Sequence, residues 1–326
     1  MPTDPGSPDE PPLLVLRALG LGDLLTGIPA LRGLRRLHPG RPLLLAAPAA
    51  LGSWFADLGL VDRVVVTDDL DGPPPGAGLG PHDAIDLHGN GLPSRQLLEA
   101  AHPLSVLSFA PPAGTDPGVH QPVWRRDEHE VRRWCRLVGA VGARCGVDDL
   151  RVPELPAHAP GADGPVVVHP GAASRSRQWP PERFAEVARQ LRSRGQEVVV
   201  TGGGSERALA ADVAHLAGLP PTASTAGQLD LPALAAVVAR ASLLVCGDTG
   251  VAHLATAVGT PSVLLFGPIA PSQWGPAIDL DRHLVLWHGD GTGDPHGSEP
   301  DPALLRITVD EVLAGVDRLT TVYAGR

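Results

Sequence analysis

The chain has 326 residues and a formal net charge of −10. That length is too great for one ordinary hydrophobic core and favours two domains. The acidic balance argues against a nucleic-acid-binding protein, whose contact surface would be basic. All 26 basic residues are arginines, so any role that needs a fixed positive charge falls to arginine.

The cysteines and the amino-terminal segment bear on the cellular compartment. Three cysteines without metal-binding spacing fit a reducing environment. The first twelve residues are acidic and proline-rich, unlike a signal peptide. No apolar run approaches the ~20 residues that a membrane-spanning helix needs. We therefore expect a cytoplasmic protein with a disordered tail over residues 1–12.

The first half of the chain alternates between patterns typical of buried strands and patterns typical of helices. The segments are 13–23, 41–48 and 61–69 for strands, 24–37, 50–60 and 127–142 for helices, and 82–101 for a strand, a glycine-rich turn and a helix. A strand–helix–strand order predicts a parallel sheet covered by helices.

The same alternation begins again after residues 152–165, a proline- and glycine-rich segment that is the best linker candidate. The second set comprises strand segments 165–173, 196–204, 242–248 and 261–268, and helical segments 180–195, 205–218, 230–241, 249–259 and 308–319. It is left open whether the last helix packs back on the first half.

These patterns predict an α/β protein with two Rossmann-like, doubly wound domains, residues 13–158 and 159–326. Ligands of such sheets bind at the carboxyl ends of the strands. With two domains facing a central cleft, that cleft is the expected site.

The segment GDTGVAHLATAVGTP, residues 247–261, joins the end of a strand to a helix. Backbone N–H groups and the helix dipole favour an anion there, and phosphate is the usual one. Gly250 permits close approach, Thr249 offers a hydroxyl, and His253 lies one turn into the helix and points back. The alternative is that Asp248 and Thr249 only cap the helix and that His253 is a core residue.

Two other strand ends in the second half have similar features. Small residues precede Arg175 and Arg177, and arginines beside helix N-termini suit a diphosphate. The alternative is a solvated loop with two surface arginines. Glycines 202–204 end another strand, which is a weak signal by itself. Three such strand ends in one domain indicate one nucleotide pocket.

In the first half, Asp23 follows the first strand. A carboxylate at that position suits a general base, and the alternative is an N-cap for a helix that begins at Leu24. Gly20 and Gly22 resemble part of a dinucleotide-binding fingerprint, but Leu25 stands where its third glycine belongs. This argues against NAD binding.

Five segments together resemble glycosyltransferase family 9, the heptosyltransferase-like enzymes. They are RALGLGDLLTGIPALRGLRRLHP, DLHGNGLPSR, HPGAASRSRQWPPERF, VVVTGGGSE and CGDTGVAHLATAVGTPSVLLFGPIAPSQWGP. They occur in order over nearly the whole chain, and the last is the most specific. The resemblance implies the GT-B architecture, with the acceptor bound mainly by the first domain and a nucleotide-sugar donor by the second. It also implies inversion at the anomeric carbon, with no metal and no cofactor.

The resemblance implies roles for individual residues. Asp23 matches the base that takes the proton of the acceptor hydroxyl, and Arg177 matches a phosphate-binding lysine of the family. The other donor-binding positions are Gly171, Ala172, Ser174, Gly203, Gly204, Ser205, Leu229, Asp248, Thr249, Gly250 and His253. Gly22 and Arg95 fall on the acceptor side, and a surface arginine at a helix start is an equal alternative for Arg95.

The resemblance also implies the partners. The expected donor is a nucleotide diphosphate sugar, with an ADP-sugar favoured. The acidic composition departs from enzymes that meet an acidic, membrane-borne acceptor, so the acceptor is expected to be a glycan, a lipid-linked sugar or a small molecule. Peripheral membrane contact is left open. The competing hypotheses are an epimerase or hydrolase of nucleotide-sugars on the same fold, and a nucleotide-sugar-binding protein without catalysis.

Overall fold

The structure is a computed structural model that describes residues 10–110, 121–152 and 164–324. The chain divides into two compact units, Met1–Leu150 and Arg151–Arg326. The predicted boundary between residues 158 and 159, the predicted tail up to residue 9 and most of the predicted linker lie outside the described residues. Within the described part, no helix has both the length and the apolar character needed to cross a membrane.

The first unit contains a five-stranded parallel sheet with the spatial order β3-β2-β1-β4-β5. The strands are β1 (Leu13–Leu16), β2 (Leu43–Ala47), β3 (Arg63–Val66), β4 (Asp83–Asp86) and β5 (Ser105–Leu107). The helices are α1 (Leu21–Leu37), α2 (Ala49–Asp57), α3 (Leu92–Glu99) and α4 (Glu130–Gly139).

The second unit repeats this architecture, with the spatial order β10-β9-β8-β6-β7. The strands are β6 (Val166–His169), β7 (Val198–Val200), β8 (Leu243–Gly247), β9 (Ser262–Phe266) and β10 (His283–Trp287). The helices are α5 (Pro181–Ser193), α6 (Arg207–Leu216), α7 (Leu231–Arg240), α8 (Gly250–Val258), α9 (Pro271–Trp274), α10 (Pro302–Arg306) and α11 (Val309–Ala324).

The cores explain the apolar runs of the sequence. Every residue of β1, β2, β8 and β9 is buried, as expected for parallel strands covered on both faces. In the second unit Trp179 and Phe184 pack edge to face, with ring centroids 5.0 Å apart. Val312 and Val316 of α11 join the same core, so the last helix packs within the second unit.

Each sheet reverses its strand order beside a central strand. In the first unit β1 lies between β2 and β4, and in the second β6 lies between β8 and β7. The connections from neighbouring strands then leave in opposite directions, which opens a crevice at the carboxyl ends of the pairs β1/β4 and β6/β8. The parallel register brings these ends together, with Leu16 opposite Asp86 and His169 opposite Cys246. The loops that follow carry most of the predicted site residues.

Two local predictions need correction. Helix α1 begins at Leu21 rather than Leu24, because Gly20 serves as its N-cap and its carbonyl accepts the Leu24 N–H at 3.0 Å. The edge strands β5 and β10 escaped prediction, whereas the other two edge strands, β3 and β7, were predicted from their valine runs. Strand β5 has only three residues, and β10 is half-buried over most of its length.

Candidate functional site

In the second unit, the predicted donor-binding residues lie on loops after three neighbouring strands, in the order β8-β6-β7. The loop after β6 carries Gly171, Ala172, Ser174 and Arg177; the loop after β7 carries Gly203, Gly204 and Ser205; and the turn after β8 carries Asp248, Thr249 and Gly250. The fold thus brings these residues to one edge of one sheet.

Arg177 and Asp248 connect the loops after β6 and β8. Arg177 Nη1 lies 3.8 Å from Asp248 Oδ2, with the arginine side chain 21 % exposed and the aspartate 6 % exposed. A Cβ at Gly247 would lie 2.9 Å from the Arg177 carbonyl oxygen, so only glycine lets the Arg177 turn pack on the end of β8. This packing leaves a partly exposed guanidinium beside a buried carboxylate.

Ser174 takes part in the internal structure of the loop after β6. Its hydroxyl donates to the Pro295 carbonyl at 2.5 Å and lies 2.9 Å from the Ser176 hydroxyl. Arg177 Nε donates to Ser174 Oγ at 3.4 Å. Ser174 therefore helps to orient the Arg177 guanidinium, and its contact with a donor stays a prediction.

The turn after β8 is the amino-terminal end of α8. Thr249 is the N-cap residue, and its side chain makes no capping hydrogen bond. Thr249 thus occupies the capping position, as the alternative expected, but does not cap the helix through its side chain. Thr249, Gly250 and His253 are all partly exposed, and the His253 ring contacts Trp274 at a centroid distance of 5.7 Å. The helix terminus offers backbone N–H groups and a positive dipole end beside Arg177, an arrangement that favours an anion.

Glu206 connects the loops after β6 and β7, and sequence reasoning missed it. Its Oε2 accepts the Gly203 N–H at 2.6 Å and lies 3.7 Å from His169 Nε2. A Cβ at Gly171 would lie 1.9 Å from Glu206 Oε1, so glycine is required where the loops meet. Burial lowers the pKa of His169, although the Glu206 carboxylate opposes the shift. The only sequence signal was an acid two residues after the glycine run.

Leu229 lies farther along the same edge. The Thr225 N–H donates to the Val200 carbonyl and the Gly227 N–H to the Gly202 carbonyl, both at 2.9 Å. Leu229 follows this segment, is half-buried, and lies two residues before the start of α7. This course of the chain is compatible with the predicted place of Leu229 beside the loop after β7. Its contact with the nucleobase of the donor stays a prediction.

In the first unit, Asp23 lies in the first turn of α1. The N-cap is Gly20, so the alternative that Asp23 caps the helix is wrong. Asp23 is half-buried, Gly22 is buried, and Asp23 Oδ2 lies 3.7 Å from where a Cβ on Gly20 would stand. Its backbone carbonyl accepts hydrogen bonds from Thr26 Oγ1 at 2.8 Å and from Arg17 Nε. The backbone of Asp23 is thus fixed just after the carboxyl end of β1.

The loop after β4 surrounds a buried carboxylate. Asp86 accepts the His88 N–H at 2.9 Å and the Ser94 hydroxyl at 2.7 Å, and burial raises the pKa of Asp86. Arg95 donates from Nη2 to the Phe109 carbonyl and is half-buried. The alternative of an ordinary surface arginine therefore does not describe Arg95.

Three polar atoms in this loop and in the following helix α3 are buried and have no hydrogen-bond partner among the described residues: His88 Nδ1, Asn90 Oδ1 and Arg95 Nε. Buried polar atoms are normally paired, so a cluster of orphans marks a place where a ligand or water completes the bonding. Burial and the neighbouring Arg17 lower the pKa of His88 to about 4, which keeps its imidazole neutral near pH 7. Sequence reasoning missed His88 and Asn90 as candidates.

Comparison with known proteins places these features in a family. The model of the family described as glycosyltransferase family 9 (heptosyltransferase) matches residues 125–292. Lipopolysaccharide heptosyltransferase 3 of Escherichia coli is 32 % identical over 159 residues, which are 47 % of this chain and 46 % of that protein. The match therefore spans about half the length of this curated relative.

Solved structures share the fold over nearly the whole chain. A glycosyl transferase family 9 protein from Veillonella parvula gives a TM-score of 0.77 at 20 % identity, covering 98 % of this chain and all of that one. The E. coli ADP-heptose lipopolysaccharide heptosyltransferase II gives 0.72 at 19 % identity, with 95 % and 99 % coverage. The predicted α/β, GT-B architecture of two domains is thereby confirmed. Since the family model covers more than half of the sequence, the chain belongs to glycosyltransferase family 9.

Proposed function

We propose that the protein is an inverting, metal-independent glycosyltransferase. It moves heptose or a related sugar from a nucleotide diphosphate, with ADP favoured, to a hydroxyl of a glycan, a lipid-linked sugar or a small molecule. The observation that carries the proposal is the arrangement after β6 and β8, where Arg177 lies 3.8 Å from Asp248 beside the N-terminus of α8. A structure of E. coli heptosyltransferase WaaC with ADP-2-deoxy-2-fluoro heptose has the same fold at 18 % identity, which supports an ADP-sugar donor.

In the proposed reaction the acceptor oxygen attacks the anomeric carbon of the donor sugar. The bond from that carbon to the diphosphate oxygen breaks, and its electron pair leaves with the nucleotide diphosphate. Asp23 takes the proton of the attacking hydroxyl as general base. Arg177 and the N–H groups at the start of α8 stabilise the negative charge of the leaving diphosphate, the largest electrostatic demand of the step.

The orphan atoms of the loop after β4 suit the acceptor. A sugar hydroxyl both donates and accepts hydrogen bonds. The amide oxygen of Asn90 accepts, the Arg95 Nε–H donates, and the neutral His88 ring does either according to its tautomer. We therefore place acceptor hydroxyls against these three side chains and Gly22. A cytoplasmic location fits the three free cysteines.

Donor binding is tested first. In a thermal-shift assay with ADP-, GDP-, UDP- and dTDP-sugars, the ADP-sugars should raise the melting temperature more than the other nucleotide-sugars do. A ligand at 100 times its Kd adds roughly 2.7 kcal/mol to the free energy of unfolding. The absence of a shift with every nucleotide-sugar would overturn the proposal.

Catalysis is tested with Asp23→Asn. This variant should bind the ADP-sugar as the wild type does and lose transfer to acceptor sugars. Transfer at the wild-type rate would show that Asp23 is not the base. Efficient turnover of the donor without any acceptor would instead favour the nucleotide-sugar hydrolase or epimerase.

A further inference from the structure

We propose that Arg17 is a positioning residue that fixes the base Asp23 relative to the acceptor-binding loop after β4. The inference rests on the proposed function and assigns a role to a residue for which the sequence predicted none. Arg17 itself touches neither substrate nor reacting atoms in this account. It acts through two backbone carbonyls.

The two carbonyls belong to the two loops at the β1/β4 crevice. Arg17 is 2 % exposed, and its Nε donates to the Asp23 carbonyl while its Nη1 donates to the Leu87 carbonyl. Because a guanidinium is rigid and planar, these bonds fix the first turn of α1 relative to residue 87. His88 follows directly, and Asn90 two residues later.

The remaining donors of Arg17 fix the guanidinium from behind. Its Nη2 donates to Thr26 Oγ1 at 3.0 Å and to Glu130 Oε1 at 3.3 Å. The Thr26 hydroxyl donates to the same Asp23 carbonyl at 2.8 Å. The Trp134 ring covers the guanidinium at 4.7 Å and donates its Nε1–H to Glu130 Oε1 at 2.7 Å. Arg17 is thereby held by side chains of both α1 and α4.

The charges around Arg17 indicate that it does more than stabilise the fold. Glu130 also pairs with Arg133 through its other oxygen, so two guanidinium groups share one carboxylate and all three side chains are buried. Burying such ions is expensive, and apolar side chains of similar volume often stabilise a core equally well. An apolar side chain, however, would leave the Asp23 and Leu87 carbonyls without these donors.

Arg133 provides a matched control. It is buried to a similar degree, 4 % exposed against 2 % for Arg17, and contacts the same Glu130. Its other donors go to the carbonyls of residues 125, 126 and 128 and to no residue of the β1 or β4 loops in the described part. Arg17→Lys and Arg133→Lys therefore disturb one ion network, and only Arg17→Lys disturbs the contact to Asp23.

The test compares these variants with ADP-heptose as donor and methyl mannoside as acceptor, measuring the ADP release that depends on the acceptor. Misplacement of a reacting group by about 1 Å reduces rates on the order of 100-fold. Arg17→Lys should lower kcat at least tenfold with donor KM unchanged, and Arg133→Lys should stay within about twofold of wild type. Hydrogen exchange without substrate should accelerate at residues 21–26 and 87–91 in Arg17→Lys alone.

Equal kcat values for the two lysine variants, or exchange in Arg17→Lys that is unchanged at both segments, would overturn the inference. If the wild type binds no nucleotide-sugar, the proposed function fails, whereas the exchange result still decides whether Arg17 joins the two loops. If Arg17→Lys does not fold, Thr26→Val and Thr26→Ser replace it. The valine variant should reproduce the lower kcat and the faster exchange, and the serine variant, which keeps the hydroxyl, should restore both; identical behaviour of the two would also overturn the inference.

Discussion

Replacing Arg177 by glutamine removes the guanidinium that lies 3.8 Å from Asp248 while keeping an uncharged polar side chain. A hydrogen bond to a charged group contributes about 1.5–3 kcal/mol. If Arg177 makes one such bond to the diphosphate, Arg177→Gln should weaken ADP binding roughly 10- to 150-fold. Isothermal titration of ADP into the intact chain measures this directly.

Arg175→Gln is the matched control for that experiment. Arg175 lies two residues earlier on the same turn, but its side chain is exposed and donates to Gln178 Oε1 at 2.9 Å. Both variants lose one positive charge, so a general charge effect would weaken ADP equally in both. We expect Arg175→Gln to stay within about threefold of wild type, since exposed charges are screened by salt. Equal losses, or an Arg177→Gln affinity within twofold of wild type, would refute the assignment of Arg177 to the diphosphate.

Three other predictions concern the fold and its cysteines. Burial lowers the pKa of His283 from 6.5 to about 4, so between those pH values the unfolded chain binds a proton that the folded one does not. Stability should therefore fall by up to about 3 kcal/mol as the pH drops through that window, and melting curves of His283→Gln at pH 7.5 and 4.5 should show a smaller fall. Cys145 should react with iodoacetamide before Cys135. The hydrogen bond between the two thiols lowers the pKa of Cys145 and raises the pKa of Cys135. Mass spectrometry after partial alkylation measures the order of reaction. Gly171→Ala should lower the free energy of urea unfolding by about 1–3 kcal/mol, because the new methyl group displaces the Glu206 carboxylate from its hydrogen bond.

Each of these three has a clear contrary outcome. If His283→Gln loses as much stability between pH 7.5 and 4.5 as the wild type does, His283 is not the group responsible for the loss. Equal labelling of the two cysteines would contradict the predicted order. For the glycine, Gly204→Ala is the control, because a Cβ there meets nothing within 4 Å; equal effects of the two alanine substitutions would contradict the steric argument.

The sequence was sufficient for the central strands and for the loops that follow them. Parallel strands buried on both faces are long apolar runs, and glycines or polar residues at their carboxyl ends mark the turns where Asp23, Arg177 and Thr249 lie. The edge strands β3 and β7 were found from their runs of three valines, but the edge strands β5 and β10 were not. Their positions follow from sheet pairing, which joins residues far apart in the chain.

Arg17 and Glu206, two of the missed residues, share one property: their roles depend on contacts across long sequence separations. Arg17 precedes Asp23 in the strand end, but its importance follows from the carbonyl at residue 87 and the carboxylate of Glu130. Glu206 looked like an ordinary acid at a helix start until its carboxylate was found against Gly171. A single sequence carries no local signal for such pairings.

The two glycines at the loop junctions have a consequence for protein engineering. A side chain at Gly247 would collide with backbone, 2.9 Å from the Arg177 carbonyl, and one at Gly171 would collide with a carboxylate. In a saturation library over the second unit, most substitutions at these two glycines should therefore prevent folding, although neither glycine contributes a side chain to the site. If the proposed donor site is correct, libraries meant to change the nucleotide preference are better directed at Ser205, which is exposed, and Leu229, which is half-buried, because neither lies at these junctions.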